Sequence, residues 1–289
     1  MSIKFKRSES FYIRDGWFQK AIHAIYKSEE NIFSKNRGVE VLGIGSNMVK
    51  GLKYWLTVSG IVETSSSMTK LSAFGELLLK YDPYLEDDFS WFLIHFNICR
   101  GFEDAPIFNY VFNKAPMAFE KNDMIQLVVE YIRDNGLTKD LKSNYVSEDM
   151  NVFLKTYTIE DREGNPEDNY ICPLSSLELI EKKKDLYYKR RPKYGKLSYL
   201  VVYYSLLSIY KNEFTIEDSL KEDNGPVRLF NLDKNMLAQY LDEMKKEGLV
   251  TINKTAGLNT VYFEQKLKLE QILKKYFGGK LWAIASILK

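Results

Sequence analysis

Apolar residues along the chain recur mostly at helical spacing and only briefly in strict alternation. This predicts a mainly α fold (α with small β wings), arranged as two winged-helix-like units flanking a helical middle. Phe11 to Ser28 reads as the first helix, with Trp17, Phe18, Ala21, Ile22, Ile25 and Tyr26 on its apolar stripe. Val39 to Val62 is the stretch that organises the rest. Val39, Val41 and Leu42 close a short helix, and Gly43-Ile44-Gly45 turns the chain. Ser46 is placed to cap a second helix, its hydroxyl accepting from an early backbone N–H. Met48, Val49, Leu52, Trp55 and Leu56 then face the core and leave Asn47, Lys50, Lys53 and Tyr54 outside. Two helices across a glycine turn, with a polar and basic outer face, form the pattern of a helix-turn-helix; an ordinary helical hairpin shares it. Gly60-Ile61-Val62 begins an extended segment and Thr64 to Ser67 is a polar loop. The apolar run Leu71 to Leu79 would complete a wing hairpin with Lys70 near its tip.

Further along, Pro83 favours a turn and Asp87 or Asp88 can cap a helix from Phe89 to Cys99 that is apolar around most of its circumference. Helices follow at Pro106 to Phe112 and Lys121 to Asn135, with Gly136 at the expected C-terminal cap, and then at Leu137 to Tyr157, carrying Lys139, Lys142 and Lys155. Ile159 to Tyr170 reads as a polar, acidic loop and Ile171 to Ile180 as a helical piece. Beyond residue 196 the spacing predicts helices at Leu197 to Tyr210, from a Thr215 cap to Leu220, and from an Asp233 cap to Glu247. Strands at Leu249 to Ile252 and Thr260 to Phe263 can pair across Asn253 to Gly257. The third of these helices exposes Lys234, Gln239, Asp242, Glu243 and Lys246, a charge mixture that phosphates would repel, so this unit suits protein contacts. Gln265 to Phe277 reads as an amphipathic helix and Gly278 to Lys289 as an apolar segment that docks elsewhere. The resulting division is a winged helix at 1–80, a helical middle at 81–180, a basic linker at 181–196, a winged helix at 197–263 and a helical tail at 264–289.

Composition adds limits. With 289 residues, 45% hydrophobic and 28% charged, the chain can bury a sizeable core in about two domains. MSIKFKRSES has no signal-peptide character and no apolar stretch is long enough for a membrane span, so a cytoplasmic protein is expected. Cys99 and Cys172 lie far apart without metal-type spacing, as free thiols would. A net charge of +2 gives no global support to nucleic-acid binding, which must rest on local patches. Two patches qualify. Residues 1–60 hold ten basic against five acidic side chains, and Glu181 to Lys196 (EKKKDLYYKRRPKYGK) holds eight against two, with tyrosines interleaved. Such runs can neutralise phosphates and release counterions; a solvated surface or linker is the competing reading.

The candidate DNA contacts are therefore Arg14, Ser46, Asn47, Lys50, Lys53, Tyr54 and Lys70 in the first unit, with Lys189, Arg190, Arg191 and Lys193 forming a backbone clamp. No catalytic set, cofactor site or metal site emerges. His23 and His95 sit within apolar patterns that suit structural histidines. Asp82, Glu86, Asp87 and Asp88 suit capping better than magnesium, and Gly43-Ile44-Gly45 lacks the later glycine of a dinucleotide fingerprint.

The segments FYIRDGW, LGIGSNMVKGLKYW, AFGELLL, DPYLEDDFSWFLIHF, CPLSSLELI, RLFNLDKN and TAGLNTVYF together are similar to one prokaryotic family. The chain to about Phe263 resembles the family catalogued as domain of unknown function four-thousand-and-seven. That resemblance implies a role in DNA phosphorothioation or a related phage-defence system, beside a sulfurtransferase-like partner of the phosphoadenosine-phosphosulfate-reductase type. It supplies no catalytic residues. Three roles stay open: a DNA-binding accessory subunit with duplex DNA and protein partners, an autonomous and homodimeric regulator reading a palindrome, and a scaffold that binds only proteins.

Overall fold

The first helix starts not at Phe11 but at Trp17, the first residue of its apolar stripe. In the computed structural model, which describes residues 3–34, 37–65, 68–138, 141–159, 171–255 and 258–287 (the side chains of 254, 255, 258 and 279–287 excepted), α1 is Trp17–Lys27. Tyr12 and Ile13 are buried from an extended run, and Gly16 turns the chain with a φ of 77°, a left-handed conformation that glycine adopts without strain. Next come α2 (Arg37–Leu42) and α3 (Ser46–Val58), then an antiparallel hairpin of β1 (Val62–Thr64) and β2 (Thr69–Leu71). Val49, Leu52, Trp55 and Leu56 are buried as the spacing predicts.

The wing strand expected over Leu71 to Leu79 is instead mostly α4 (Ala73–Tyr81). Short apolar runs do not settle their own period, and here the cap decides. Ser72 Oγ accepts from Gly75 N at 3.1 Å and donates to the Gly60 carbonyl at 2.6 Å, fixing both ends of the turn that starts the helix.

The middle contains α5 (Asp88–Arg100), α6 (Pro106–Lys114), α7 (Lys121–Asp134) and α8 (Ser143–Tyr157). Asp87 caps α5 through Phe89 N at 2.9 Å, and ten of its thirteen residues are buried. The helix expected from Leu137 starts only at Ser143, with Lys142 at its N-cap and Lys139 outside the described residues. The acidic stretch 160–170 also lies outside them.

The helical piece expected at 171–180 forms only as a short 3-10 helix, and most of the linker expected at 181–196 is a β-hairpin. A 3-10 turn, Pro173–Leu177, leads into β4 (Ile180–Lys183) and β5 (Leu186–Lys189), which join β3 (Ala118–Glu120) in a sheet ordered β3-β5-β4. Burial alternates within the charged run, with Tyr187 and Lys189 buried and Leu186 and Tyr188 half-buried, and Tyr187 stacks on Phe119 at 5.8 Å. That alternation makes the segment a hairpin, with Lys184 (φ 55°) in its turn.

The last unit runs α9 (Tyr199–Leu207), β6 (Glu213–Thr215), α10 (Ile216–Lys221), α11 (Pro226–Leu229), α12 (Lys234–Lys246), β7 (Val250–Thr255) and β8 (Leu258–Phe263), with sheet order β6-β8-β7. Both expected caps form: Thr215 Oγ1 accepts from Asp218 N at 3.0 Å and Asp233 Oδ1 from Met236 N at 2.8 Å. The β7–β8 pairing has Val250 opposite Phe263 and Ile252 opposite Val261.

One continuous core extends from Ile3 to Phe277. Asn224 fastens the last unit to the middle: its Oδ1 accepts from Asn109 at 2.7 Å and Asn113 at 3.0 Å, and its N–H donates to Asn113 at 2.7 Å. Helix α13 (Leu269–Ile287) returns to the first two units. Tyr276 stacks on Phe89 at 3.9 Å and Phe277 on Tyr81 at 6.1 Å, while Tyr276 OH donates to Asp87 at 2.8 Å. The docking expected of the segment after Gly278 concerns side chains outside the described residues. Among the described residues no helix is long and apolar enough to cross a membrane.

Candidate nucleic-acid interface

Helix α3 presents only part of the face that its sequence suggests. Ser46 is exposed but does not cap: Gly45 holds the N-cap position, so the serine is the first helical residue. Asn47 and Lys50 are exposed one turn apart, and Lys50 Nζ donates to Asn47 Oδ1 at 3.2 Å. Lys53 is half-buried with its ammonium 5.8 Å from the Phe33 ring.

Tyr54 is not a free contact. Its OH donates to the Asp104 carbonyl at 2.8 Å, the Arg7 guanidinium lies 5.3 Å from its ring, and burial raises its phenol above the usual range. The cause is the chain before α1, which crosses α3 at Gly51. A Cβ there would lie 2.6 Å from the Ser8 carbonyl oxygen, and Trp55 Nε1 donates to the Phe11 carbonyl at 2.8 Å. Arg14 is held over the rings of Phe11 and Trp17, at 5.8 and 5.5 Å. Lys70 is exposed opposite Glu63, one pair below the last pair of the hairpin and so near its tip; Ser66 and Ser67 lie outside the described residues.

The basic segment contributes less free charge than its composition promises. Lys189 is 7% exposed and is a correction to the sequence reading. Its ammonium donates to the carbonyls of Phe112 (2.7 Å), Val111 (3.3 Å) and Ala115 (3.4 Å), at the end of α6, which carries negative dipole charge. Burial, then the nearby Arg228, push its pKa down to about 8. Arg190, Arg191 and Lys193 are exposed, but each has an acid beside it: Glu181 at 3.4 Å, Asp233 at 3.3 Å and Glu178 at 2.8 Å. With Lys182, Arg190, Arg191 and Lys193 on its walls beside Glu178 and Glu181, a groove of about 440 Å³ is of mixed sign. Sequence spacing could not reveal the last two pairings, because Asp233 and Glu178 come from outside the charged run.

His95, the two cysteines and Asp82 are each held by internal contacts or burial. His95 Nε2 faces the Leu229 carbonyl at 2.7 Å, so it carries the proton, and Nδ1 accepts from Tyr157 OH at 2.6 Å. Burial depresses His95 to about 4 and pushes the Cys99 thiol beside it up. Cys172, buried too, is raised to about 12. Asp82 accepts from Glu86 N, Asp87 N and Ser90 Oγ, at 3.0, 3.2 and 2.6 Å, so its carboxylate is engaged in a turn. Among the described residues no three His, Cys, Asp or Glu side chains group as metal ligands.

No curated protein is similar to the chain. Two solved structures are. Magnesium ion-bound SspB is 21% identical with a TM-score of 0.85, over 95% of this chain and 88% of that one. A second structure of SspB is 20% identical with a TM-score of 0.82 over the same shares. Identities this low establish a shared fold. The profile of the family described as protein of unknown function (DUF4007) matches residues 5–277, in agreement with the sequence resemblance, and the chain belongs to that family.

Proposed function

We propose that the protein is a non-catalytic, DNA-binding accessory subunit of a phosphorothioation-type DNA-modification or phage-defence system, contacting duplex through the start of α3. The observation that carries this reading is the exposed pair Asn47 and Lys50, on a helix that follows a glycine turn and precedes a β-hairpin. That element order suits a winged helix, whose second helix enters the major groove. The likeness to SspB is compatible with an accessory role in such a system. In the last unit, the order α9, β6, α10, α11, α12, β7, β8 also suits a winged helix. The mixed charge along α12 supports its use on a protein partner, a sulfurtransferase-like protein being the one the family resemblance implies.

Lys50→Ala is expected to weaken duplex binding and lower the slope of log affinity against log salt by about one, the value of one phosphate contact. Lys53→Ala should add less, because its ammonium already lies over Phe33. Fluorescence anisotropy across a salt series measures both, and an unchanged slope in a folded Lys50→Ala protein would sink the assignment. The pairing of Arg190, Arg191 and Lys193 with acids favours a second reading, a scaffold that binds only proteins. Replacing all three with glutamine separates the two. A sequence-independent loss of duplex affinity supports the clamp, whereas parent-like binding near physiological salt gives this surface to the scaffold.

A further inference from the structure

The sheet of the last unit ends on an open edge. Strand β7 has a partner on one side only: β8 lies in the middle of the order β6-β8-β7, with Val250 opposite Phe263 and Thr255 opposite Leu258. In an antiparallel ladder, residues that bond across to the neighbouring strand alternate with residues whose N–H and C=O point away from it. Two bonds fix the phase here. Glu264 N donates to the Leu249 carbonyl at 3.0 Å, and Phe263 N turns the other way, to the Asn212 carbonyl beside β6, at 3.1 Å. Leu249, Thr251 and Asn253 therefore bond toward β8, while Val250, Ile252 and Lys254 aim their backbone groups outward. No strand among the described residues pairs with that edge.

Sheet edges are commonly kept short or charged, because an open one can pair with another strand. β1, β2, β3 and β6 are three residues long, and β4 carries Glu181, Lys182 and Lys183. β7 (VTINKT) has neither protection: it is six residues long, and Lys254 is its one charged residue. It is also self-complementary. Turned antiparallel on itself about Ile252, it sets Ile252 against Ile252, Val250 against Lys254 and Thr251 against Asn253 of the other copy. Outward residues then meet outward residues, so donors face acceptors along the edge, and no charge opposes its like. Thr251 and Asn253 are exposed and make a polar cross-strand pair, while Ile252, half-buried on the opposite face, covers its counterpart.

We propose that β7 pairs antiparallel with β7 of a second copy, joining two three-stranded sheets into one across a two-fold axis at Ile252. Such a contact is isologous and closes at two copies, because it consumes both β7 edges. Strand pairing alone buries well under about 1,000 Å², so the dimer is a weak one that forms at micromolar concentrations and above. The inference does not rest on the duplex reading, and either can fail alone.

Sedimentation velocity of the full chain over about 1 to 300 μM tests it, the weight-average mass rising from one chain toward two. Two variants then test the register. Thr251→Lys with Asn253→Lys sets lysine opposite lysine on both sides of the axis and should weaken dimerisation about tenfold, or about 1.4 kcal/mol. Thr251→Lys with Asn253→Glu sets opposite charges there and should dimerise at least as tightly as the parent. Both carry Thr251→Lys, so the loss of the Thr251 hydroxyl's bond to Glu264 (2.7 Å) cancels between them. Both positions are exposed, and circular dichroism checks that each variant is folded. A chain that stays monomeric to the top of the range overturns the proposal. So does a folded lysine–lysine variant that dimerises like the parent, or a lysine–glutamate variant no tighter than the lysine–lysine one.

Discussion

Gly75→Ala is expected to cost about 3 kcal/mol of stability, although alanine in a helix normally gains up to about 1 kcal/mol over glycine. The sign reverses because α4 lies directly against the chain before β1. A Cβ at Gly75 would sit 2.2 Å from the Ile61 carbonyl oxygen and 3.2 Å from its carbon. That carbonyl cannot swing away cheaply, since it accepts from Ser72 N at 2.9 Å beside the serine that caps α4. Urea denaturation of parent and variant measures the difference. Gly101→Ala is the control, because a Cβ there meets nothing within 4 Å. A parent-like midpoint for Gly75→Ala would mean that α4 does not approach Ile61 as described.

Acidification should reveal a comparable effect from His95. Its folded pKa of about 4 is below the ordinary 6.5, because burial disfavours the charged ring. The unfolded chain therefore binds more protons between those values. Stability from the neutral ring is fully present above pH 6.5 and is lost as pH falls toward 4, by about 3 kcal/mol in total. Asp149 opposes this loss. Its carboxyl is raised to about 6, mainly by desolvation, so protonation there favours the folded state in the same window. Asp149→Asn keeps an acceptor for the Lys6 N–H while removing that compensation. Its stability should fall more steeply than the parent's between pH 6.5 and 4. NMR of the imidazole should show a neutral ring down to about pH 4 in both proteins. A ring that charges near pH 6.5 in the folded protein would refute the account.

Helix identity was legible in the sequence wherever apolar spacing ran long. The buried faces of α3, α5 and α12 and the caps at Asp87, Thr215 and Asp233 all follow from spacing and hydrogen-bonding chemistry. Short or charged segments were not legible. Leu71 to Leu79 fits either period until Ser72 is seen to cap, and the lysines around Tyr187 mask its place in a sheet with a strand some seventy residues earlier. The exposure of Asn47 and Lys50 was legible, and the engagement of Tyr54 and Lys189 was not. Those two depend on partners remote in sequence, the Asp104 carbonyl and the end of α6, and composition cannot show such partners.

The return of α13 also sets an order of events during synthesis. Asp87 and Tyr276 are 189 residues apart, yet the ring of Phe89 is covered only when Tyr276 and Phe277 arrive. At ordinary translation rates of about 5–20 residues per second, the helix carrying Phe89 leaves the ribosome about ten seconds or more before its cover exists. For that interval Tyr81 and Phe89 are open to chaperones, proteases and neighbouring nascent chains. The first half of the chain is thus a client for protection until its own late helix replaces the protector.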